Sequence, residues 1–256
     1  MGQAMIGGIV KSGLVPPEQV YAADPSEQNL NRVQKEYGIC VTQDNLVPAK
    51  KCDILVLSVK PYLYADVIEE IRATVKQDVV IVMIAAGQTI AVNEARFGRN
   101  IKIVRAMPNT PALVGEGMAA LCANSYVTDE EKDEVREIFE SFGKAEFVGE
   151  NMMDVVAGVS GSSPAYVYMF IEALADGAVL QGMPRQQAYT FAAQAVLGSA
   201  RMVLETGMHP GALKDMVCSP GGTTIEAVAS LEQDGLRAAV IRAVDVCTEK
   251  SKAMSK

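Results

Sequence analysis

The run Asp53-Ile54-Leu55-Val56-Leu57-Ser58-Val59-Lys60-Pro61 decides the fold class of this chain. Its apolar part, Ile54 to Val59, is typical of a strand buried on both faces of a sheet. Two more runs of this kind cover Val79 to Ile84 and Ile101 to Arg105. A helix is predicted between the first two runs, over Tyr62 to Ala73. Strands that alternate with helices predict right-handed βαβ units and a doubly wound, mostly parallel α/β sheet.

The same alternation continues on both sides of these runs. Further strands are predicted over Val20 to Ala23, Ile39 to Val41 and Met118 to Ala123, the last strand of the set. Further helices are predicted over Gln3 to Ser12, over Glu27 to Tyr37 and from Thr128 to Phe142. Gly38 is a usual helix stop, and Thr128 with Glu131 forms a capping box.

The pattern changes from about Asn151 to an all-helical one. The predicted helices Pro164 to Gln181 and Arg185 to Glu205 are apolar nearly all round and rich in small residues. A water-soluble helix of this kind must be enclosed, and the remaining helices are too few to enclose two of them. The sequence therefore predicts residues 1–150 as a nucleotide-binding domain, residues 151–256 as an all-α dimerisation domain, and at least a homodimer.

Composition excludes several classes of protein. The chain has 256 residues, 49% of them hydrophobic, and a formal net charge of −8, which argues against nucleic acid or an anionic membrane as partner. The longest apolar run, Val79 to Ala86, is far shorter than the ~20 residues of a spanning helix. Five scattered cysteines and the lack of a signal peptide indicate a reducing cytoplasm. With a single histidine, His209, no multi-histidine metal site is possible, and no metal is expected.

The second half contains a turn suited to a small anion. Between two helical segments stands the stretch from His209 to Thr224, which includes Ser219-Pro220-Gly221-Gly222. Glycines that open a helix leave backbone N–H groups uncovered at its positive end, and these groups suit a carboxylate. Thr223 and Thr224 add hydroxyls beside them. The alternative is a plain helix start with one of the two threonines as N-cap.

The candidates for a nucleotide site lie where the predicted strands end. Asp24 follows Gly2 at the distance of about twenty residues expected for a carboxylate on a ribose diol. The Gly-x-Gly-x-x-Gly loop is incomplete, because its strand and first glycines would precede residue 1. Gly2 is alternatively an ordinary glycine, Lys60 a surface lysine and Asn109 a turn residue.

Taken together, these stretches resemble the Δ1-pyrroline-5-carboxylate reductases, which reduce a cyclic imine to L-proline with NADPH or NADH. The most specific match is Leu213 to Ala227; the others are Ser58-Val59-Lys60-Pro61, Ala85-Ala86-Gly87, Met107 to Pro111, Gly115-Glu116-Gly117 and Ser160 to Tyr166. The resemblance covers essentially the whole chain. It implies a Rossmann domain followed by a helical domain that interlocks in a dimer, and dimers that often assemble further into a decamer.

The resemblance also implies the site residues. Thr224 is expected to be catalytic, and the substrate, 1-pyrroline-5-carboxylate, is expected to contact Glu150, Ser219, Gly221, Gly222, Thr223 and Thr224. The cofactor is expected to contact Gly2, Asp24, Asn45, Ser58, Val59, Lys60, Pro61, Ile84, Ala85, Ala86 and Asn109. An imine accepts hydride readily once its nitrogen is protonated or hydrogen-bonded, so the protein mainly has to position the reactants.

The chain departs from the family pattern at three places. Met216 stands where some relatives carry a polar residue that touches substrate. Asp24 stands where NADPH-preferring relatives tend to have a small polar or basic residue, which predicts that NADH is used at least as well as NADPH. Family members also begin with a strand and a full Gly-x-Gly-x-Met-Gly loop, of which this sequence contains only Met1-Gly2, so we expect it to be truncated.

Two other functions remain open at this point. One is an oxidoreductase of the β-hydroxyacid dehydrogenase type, but the helix from Pro164 to Gln181 lacks the lysine that those enzymes need. The other is a dimeric scaffold without catalytic activity, which would follow if the glycine loop were absent and the cofactor could not bind.

Overall fold

The computed structural model describes residues 1–254 and divides them into two compact units. One unit contains Met1–Ser162 and residues 246–254, and the other contains Ser163–Asp245. The first unit continues past residue 150, where the sequence places the domain boundary, because Met153 and Ala157 are buried in its core. The end of the last helix belongs to it too, since the Ser251 hydroxyl donates a hydrogen bond to Asp154.

The first unit is an α/β domain. Its elements are α1 (Gly2–Ser12), β1 (Tyr21–Ala23), α2 (Glu27–Tyr37), β2 (Cys40–Thr42), α3 (Leu46–Lys51), β3 (Ile54–Leu57), α4 (Tyr64–Ile71), β4 (Val80–Met83), α5 (Ile90–Phe97), β5 (Lys102–Met107), β6 (Gly117–Ala123), α6 (Asp129–Glu140), β7 (Gly143–Phe147) and α7 (Met153–Val156). Strands β3 to β7 form one sheet in chain order, and β1 and β2 form a separate parallel pair.

Helices cover both faces of the five-stranded sheet, as the continuous apolar runs predict. All four residues of β4 are buried, and they alternate between two hydrophobic clusters. Ile81 and Met83 lie in the cluster that includes residues of α4 and α5, whereas Val80 and Val82 lie in the cluster that includes residues of α1 and α6. This is a Rossmann-like, doubly wound arrangement.

The sheet is mostly parallel, as predicted, with one antiparallel strand and one strand that was not predicted. β6 runs antiparallel to β5, because the link between them, the 3-10 turn Thr110–Val114, is too short to include a crossover helix. β6 is also not the last strand, because β7 pairs with it in parallel at the edge of the sheet. The pattern of β7 is hard to recognise, since Lys144 and Glu146 are exposed and Ala145 is its one buried residue.

Helix boundaries follow the sequence signals closely where caps are present. α2 spans Glu27–Tyr37 and ends at Gly38 with φ 72°, and the capping box of Thr128 with Glu131 opens α6. Where caps are weak the prediction was less accurate: α4 begins only at Tyr64, after a 3-10 turn, and ends at Ile71. The short helices α3 and α5 were not predicted.

The second unit is all-helical. It contains α8 (Ser163–Leu180), α9 (Arg185–Thr206), α10 (Pro210–Val217), α11 (Thr223–Gln233) and the first part of α12 (Leu236–Met254). α8 and α9 pack against each other through small residues, with Ala175, Ala188 and Ala192 buried between them. The single histidine caps α10, its Nδ1 accepting a hydrogen bond from the N–H of Gly211. Among the residues that the structure describes, no helix has the length and apolarity needed to cross a bilayer.

Candidate functional site

The predicted cofactor residues of the first unit lie mainly at the carboxyl ends of its strands. Ser58 to Pro61 follow β3, Ile84 to Ala86 follow β4, and Asn109 follows β5. Gly2 is the first residue of α1 and lies close to Ser58: a Cβ added at Gly2 would be 2.9 Å from the Ser58 Oγ. Within the described residues no side chain caps α1, so its first N–H groups are open beside the exposed Ser58.

Asp24 follows β1 with its carboxylate held by local hydrogen bonds. Its Oδ1 accepts from the N–H of Ser26 at 2.8 Å, and both carboxylate oxygens lie 3.4 Å from Nδ2 of Asn29. Ser26 in turn is the N-cap of α2. These bonds fix the direction of the carboxylate at the end of the strand.

The two asparagines predicted to contact the cofactor are engaged by the protein itself. Nδ2 of Asn45 donates to Oε2 of Glu70 at 2.8 Å. Asn109 is buried; its Oδ1 accepts from the N–H of Met118 at 2.9 Å, and its Nδ2 donates to the carbonyl of Ser160 at 3.0 Å. A cofactor role for either residue stays a prediction, and each has a structural role already.

Tyr64 is a residue that the sequence analysis missed. Its hydroxyl donates to the carbonyl of Leu57 at 2.7 Å and accepts from the N–H groups of Ile84 and Ala85, both at 3.2 Å. The side chain is fully buried, and burial raises its pKa to about 12. A signal was present: Tyr64, Ile68 and Ile71 follow the spacing of a buried helix face, and a buried tyrosine hydroxyl needs a partner.

Glu150 forms an ion pair with a buried arginine of β5. Its Oε1 lies 3.1 Å from Nη1 of Arg105 and also accepts from the N–H of Ile90, the first residue of α5, at 2.9 Å. Arg105 is only 2% exposed, and within residues 1–254 its Nε and Nη2 have no hydrogen-bond partner. Burial, and secondarily the charge of Glu150, raises the pKa of the neighbouring Cys122 thiol. No local pattern in the sequence marks Arg105.

The second unit contains the predicted substrate turn. Gly221 has φ +65°, and the N–H of Gly222 donates to the carbonyl of Ser219 at 3.0 Å. A Cβ at Gly222 would lie 2.4 Å from the Ser219 Oγ, so this position requires glycine for the serine to keep its place. The turn leads directly into α11 at Thr223.

The start of α11 has no side-chain cap in the described structure. Its N-cap is Gly222, which contradicts the alternative of a cap formed by Thr223 or Thr224. The first helical hydrogen bond runs from the N–H of Glu226 to the carbonyl of Gly222. The N–H groups of Thr223, Thr224 and Ile225 therefore have no acceptor in this part of the chain, and they suit an anion.

Known proteins with similar sequences and structures decide the family. Residues 150–254 match the family model described as pyrroline-5-carboxylate reductase dimerisation, and residues 1–87 match the one described as NADP oxidoreductase, coenzyme F420-dependent. The pyrroline-5-carboxylate reductase of Escherichia coli strain K12 is 53% identical over 256 residues, which is 100% of this chain and 95% of that protein. The chain belongs to the pyrroline-5-carboxylate reductase family.

Two solved structures of this family have the same fold. The pyrroline-5-carboxylate reductase of Coxiella burnetii matches with a TM-score of 0.94 and 33% identity, covering 100% of this chain and 95% of that one. The Plasmodium falciparum enzyme, solved with NADP bound, matches with a TM-score of 0.90 and 35% identity over the same shares of both chains.

Membership of the pyrroline-5-carboxylate reductase family makes the chain an oxidoreductase that acts on a small molecule. The match to the dimerisation model makes it a homo-oligomer through its helical part. Both findings favour the reductase over a hydroxyacid dehydrogenase and over a scaffold without activity.

Proposed function

We propose that this protein reduces the C=N bond of 1-pyrroline-5-carboxylate to give L-proline, with NADPH or NADH as the hydride donor. The observation that carries the proposal is the uncapped start of α11, with three open N–H groups next to the Ser219–Gly222 turn, in a chain of this family. When bound, the cofactor supplies a hydride from C4 of its nicotinamide to the imine carbon.

The substrate turn binds the carboxylate and orients the ring. The open N–H groups of Thr223, Thr224 and Ile225 supply hydrogen bonds at the positive end of an eleven-residue helix. The hydroxyl of Thr224, which is half-buried, hydrogen-bonds the protonated imine nitrogen. When hydride adds to the imine carbon, the electron pair of the C=N π bond moves to this nitrogen, which keeps its proton and becomes the amine of proline. Ser219, Gly221 and Gly222 hold the turn in the shape that keeps these donors open.

The strand ends of the first unit would hold the cofactor. The open N–H groups at the start of α1, from Gly2, suit the pyrophosphate, and the absence of a side chain at Gly2 permits close approach beside Ser58. Asp24 receives the ribose hydroxyls. The segments Ser58 to Pro61 and Ile84 to Ala86 line the nicotinamide side, together with Asn45 and Asn109. Glu150 is a further candidate substrate contact, and its Oε1 already accepts hydrogen bonds from Arg105 and from the N–H of Ile90.

Three finer features belong to the same proposal. Residues 1–150 provide cofactor binding, and residues 151–256 provide the dimer and the substrate turn. The dimers assemble into a decamer, which light scattering of the purified protein tests directly. The enzyme works in the cytoplasm, which is supported by five cysteines that are all free thiols.

Thr224→Ala tests the function in an assay of proline formation with each cofactor. We expect catalytic efficiency to fall roughly fivefold to 150-fold, because losing one hydrogen bond to the substrate costs about 1–3 kcal/mol, with little change in thermal stability. Thr74→Ala, at a threonine of the first unit without a side-chain hydrogen bond in the described structure, is the matched control. Wild-type kinetics in Thr224→Ala would remove the hydroxyl from the mechanism, and no proline from the unaltered enzyme would refute the function.

A further inference from the structure

Strands β3 and β4 stop pairing where the proposed cofactor site begins. Their parallel register ends at Leu57 opposite Met83. Beyond that point the carbonyl of Leu57 and the N–H groups of Ile84 and Ala85 are not paired with each other. All three bond to the hydroxyl of Tyr64 instead, at 2.7, 3.2 and 3.2 Å.

The phenol uses its whole hydrogen-bonding capacity in this position. A tyrosine hydroxyl has one donor and two acceptor lone pairs, and each of them has a backbone partner here. The side chain is fully buried, so water does not compete for these bonds. The phenol oxygen therefore links the two strand ends through hydrogen bonds. It occupies the place where the next backbone hydrogen bond between β3 and β4 would otherwise form.

We propose that Tyr64 is a positioning residue for the cofactor: its hydroxyl holds the ends of β3 and β4 apart at the spacing that the nicotinamide half of NAD(P)H requires. The inference rests on the function proposed above. Residues Ser58 to Pro61 start immediately after Leu57, and Ile84 and Ala85 are themselves cofactor candidates, so the phenol acts on the backbone of both segments. Tyr64 acts through these segments and is not a catalytic residue.

Tyr64→Phe removes the oxygen and keeps the ring that fills the core. We expect the KM and the Kd for the preferred cofactor to rise roughly fivefold to twentyfold, since the strand ends lose their common partner and approach or fluctuate. The KM for pyrroline-5-carboxylate should change much less, because the hydroxyl of Tyr64 bonds only to the backbone at the ends of β3 and β4 and not to the Ser219–Thr224 turn. Amide hydrogen exchange in the cofactor-free protein should become faster at Ile84 and Ala85.

The matched control is Ile68→Val, one helical turn further along the same buried face of α4. It removes one methylene from the same core and touches no hydrogen bond, so it should lower thermal stability and leave the KM for the cofactor unchanged. A Tyr64→Phe enzyme that loses stability but keeps the cofactor KM and Kd would show that Tyr64 is only structural, and the inference would be overturned while the proposed function stands. If the unaltered protein neither binds NAD(P)H nor forms proline, the proposed function fails, and this inference with it.

Discussion

At the scale of single residues, we expect Asp24 to have the strongest influence on the choice of cofactor. The N–H of Ser26 and the amide of Asn29 hold its carboxylate in a fixed direction at the end of β1. A carboxylate at this position of a Rossmann sheet accepts hydrogen bonds from the 2′ and 3′ hydroxyls of NADH. The 2′-phosphate of NADPH would instead meet a like charge. In the described structure Arg32 forms no ion pair with Asp24, and its Nη2 donates to Asn29 Oδ1 at 3.4 Å.

Asp24→Ser should move the enzyme toward NADPH. We expect the ratio of catalytic efficiencies, NADH over NADPH, to be at least about one in the unaltered enzyme and to fall roughly tenfold or more in the variant, because the repulsion is removed. Steady-state kinetics with both cofactors measure this ratio.

Asp44→Ser is the matched control for this experiment. Asp44 makes the same kind of turn, its Oδ1 accepting from the N–H of Leu46 at 2.8 Å, so the substitution reproduces the loss of a charge and of a local hydrogen bond to the backbone. A strong NADPH preference that Asp24→Ser leaves unchanged would show that Asp24 does not contact the ribose.

The sequence marks some candidate site residues far better than others. Asp24 and the Ser219 to Thr224 turn could be proposed from the sequence because their signals are local: a spacing, a proline and two glycines. Arg105 was not found, because its partner Glu150 is 45 residues away and only the folded sheet joins them. Tyr64 was placed in a helix but given no role, since its partners come from two strands on either side of that helix in the chain.

At the scale of elements, the carboxylate of Glu150 joins three parts of the first unit, through an ion pair with Arg105 and a hydrogen bond from the N–H of Ile90. Arg105 belongs to β5, Ile90 begins α5, and Glu150 stands in the 3-10 turn Glu150–Met152 after β7. Glu150 is the only acceptor for the buried guanidinium in the described chain. Removing one partner of a buried pair leaves the other charge uncompensated, which is far more destabilising than removing both.

Glu150→Gln should therefore destabilise the protein by about 1–3 kcal/mol, less than for a fully buried pair because Glu150 is partly exposed. The double variant Arg105→Met/Glu150→Gln should recover part of this loss, since it removes the charge as well. Urea denaturation of the single and double variants measures the coupling energy, which we expect to exceed about 1 kcal/mol.

A surface pair provides the comparison for this cycle. Asp133 and Arg136 pair on α6 with both side chains well exposed, so Asp133→Asn should change stability by less than about 1 kcal/mol. Strictly additive effects of the two buried substitutions would mean that Arg105 and Glu150 do not stabilise each other.

An element was easier to predict the more of its residues are buried in the core, because burial determines the pattern of apolar residues in its sequence. β4 is buried on both faces, and its unbroken apolar run identifies it at once. β7 lies at the sheet edge, where one buried alanine leaves no recognisable alternation. The direction of β6 depends on the length of its link to β5. The apolar pattern of the two strands carries no information about that direction.

At the scale of the whole molecule, the helical unit exposes a large apolar surface within a single chain. Leu180 is 84% exposed, Ile241 70% and Phe191 68%. The buried core between α8 and α9 consists of three alanines, which cannot by themselves stabilise helices of 18 and 22 residues. Apolar surface of this extent marks an interface, and these exposed residues all lie within residues 150–254, which match the family's dimerisation model.

Folding of the helical part should therefore depend on association. We expect the midpoint of thermal unfolding to rise with protein concentration, because a protein that folds as a dimer is stabilised by mass action.

Phe191→Asp, which places a charge in the apolar surface of α9, should raise the dimer dissociation constant at least roughly thirtyfold, or about 2 kcal/mol, as for an interface hot spot. Tyr126→Asp is the control, since Tyr126 is also exposed but lies in the first unit. Sedimentation of both variants against the unaltered protein decides the matter: a stable, folded monomer at micromolar concentration of the unaltered chain would refute the dimer, and equal dissociation constants for the two variants would place the interface away from α9.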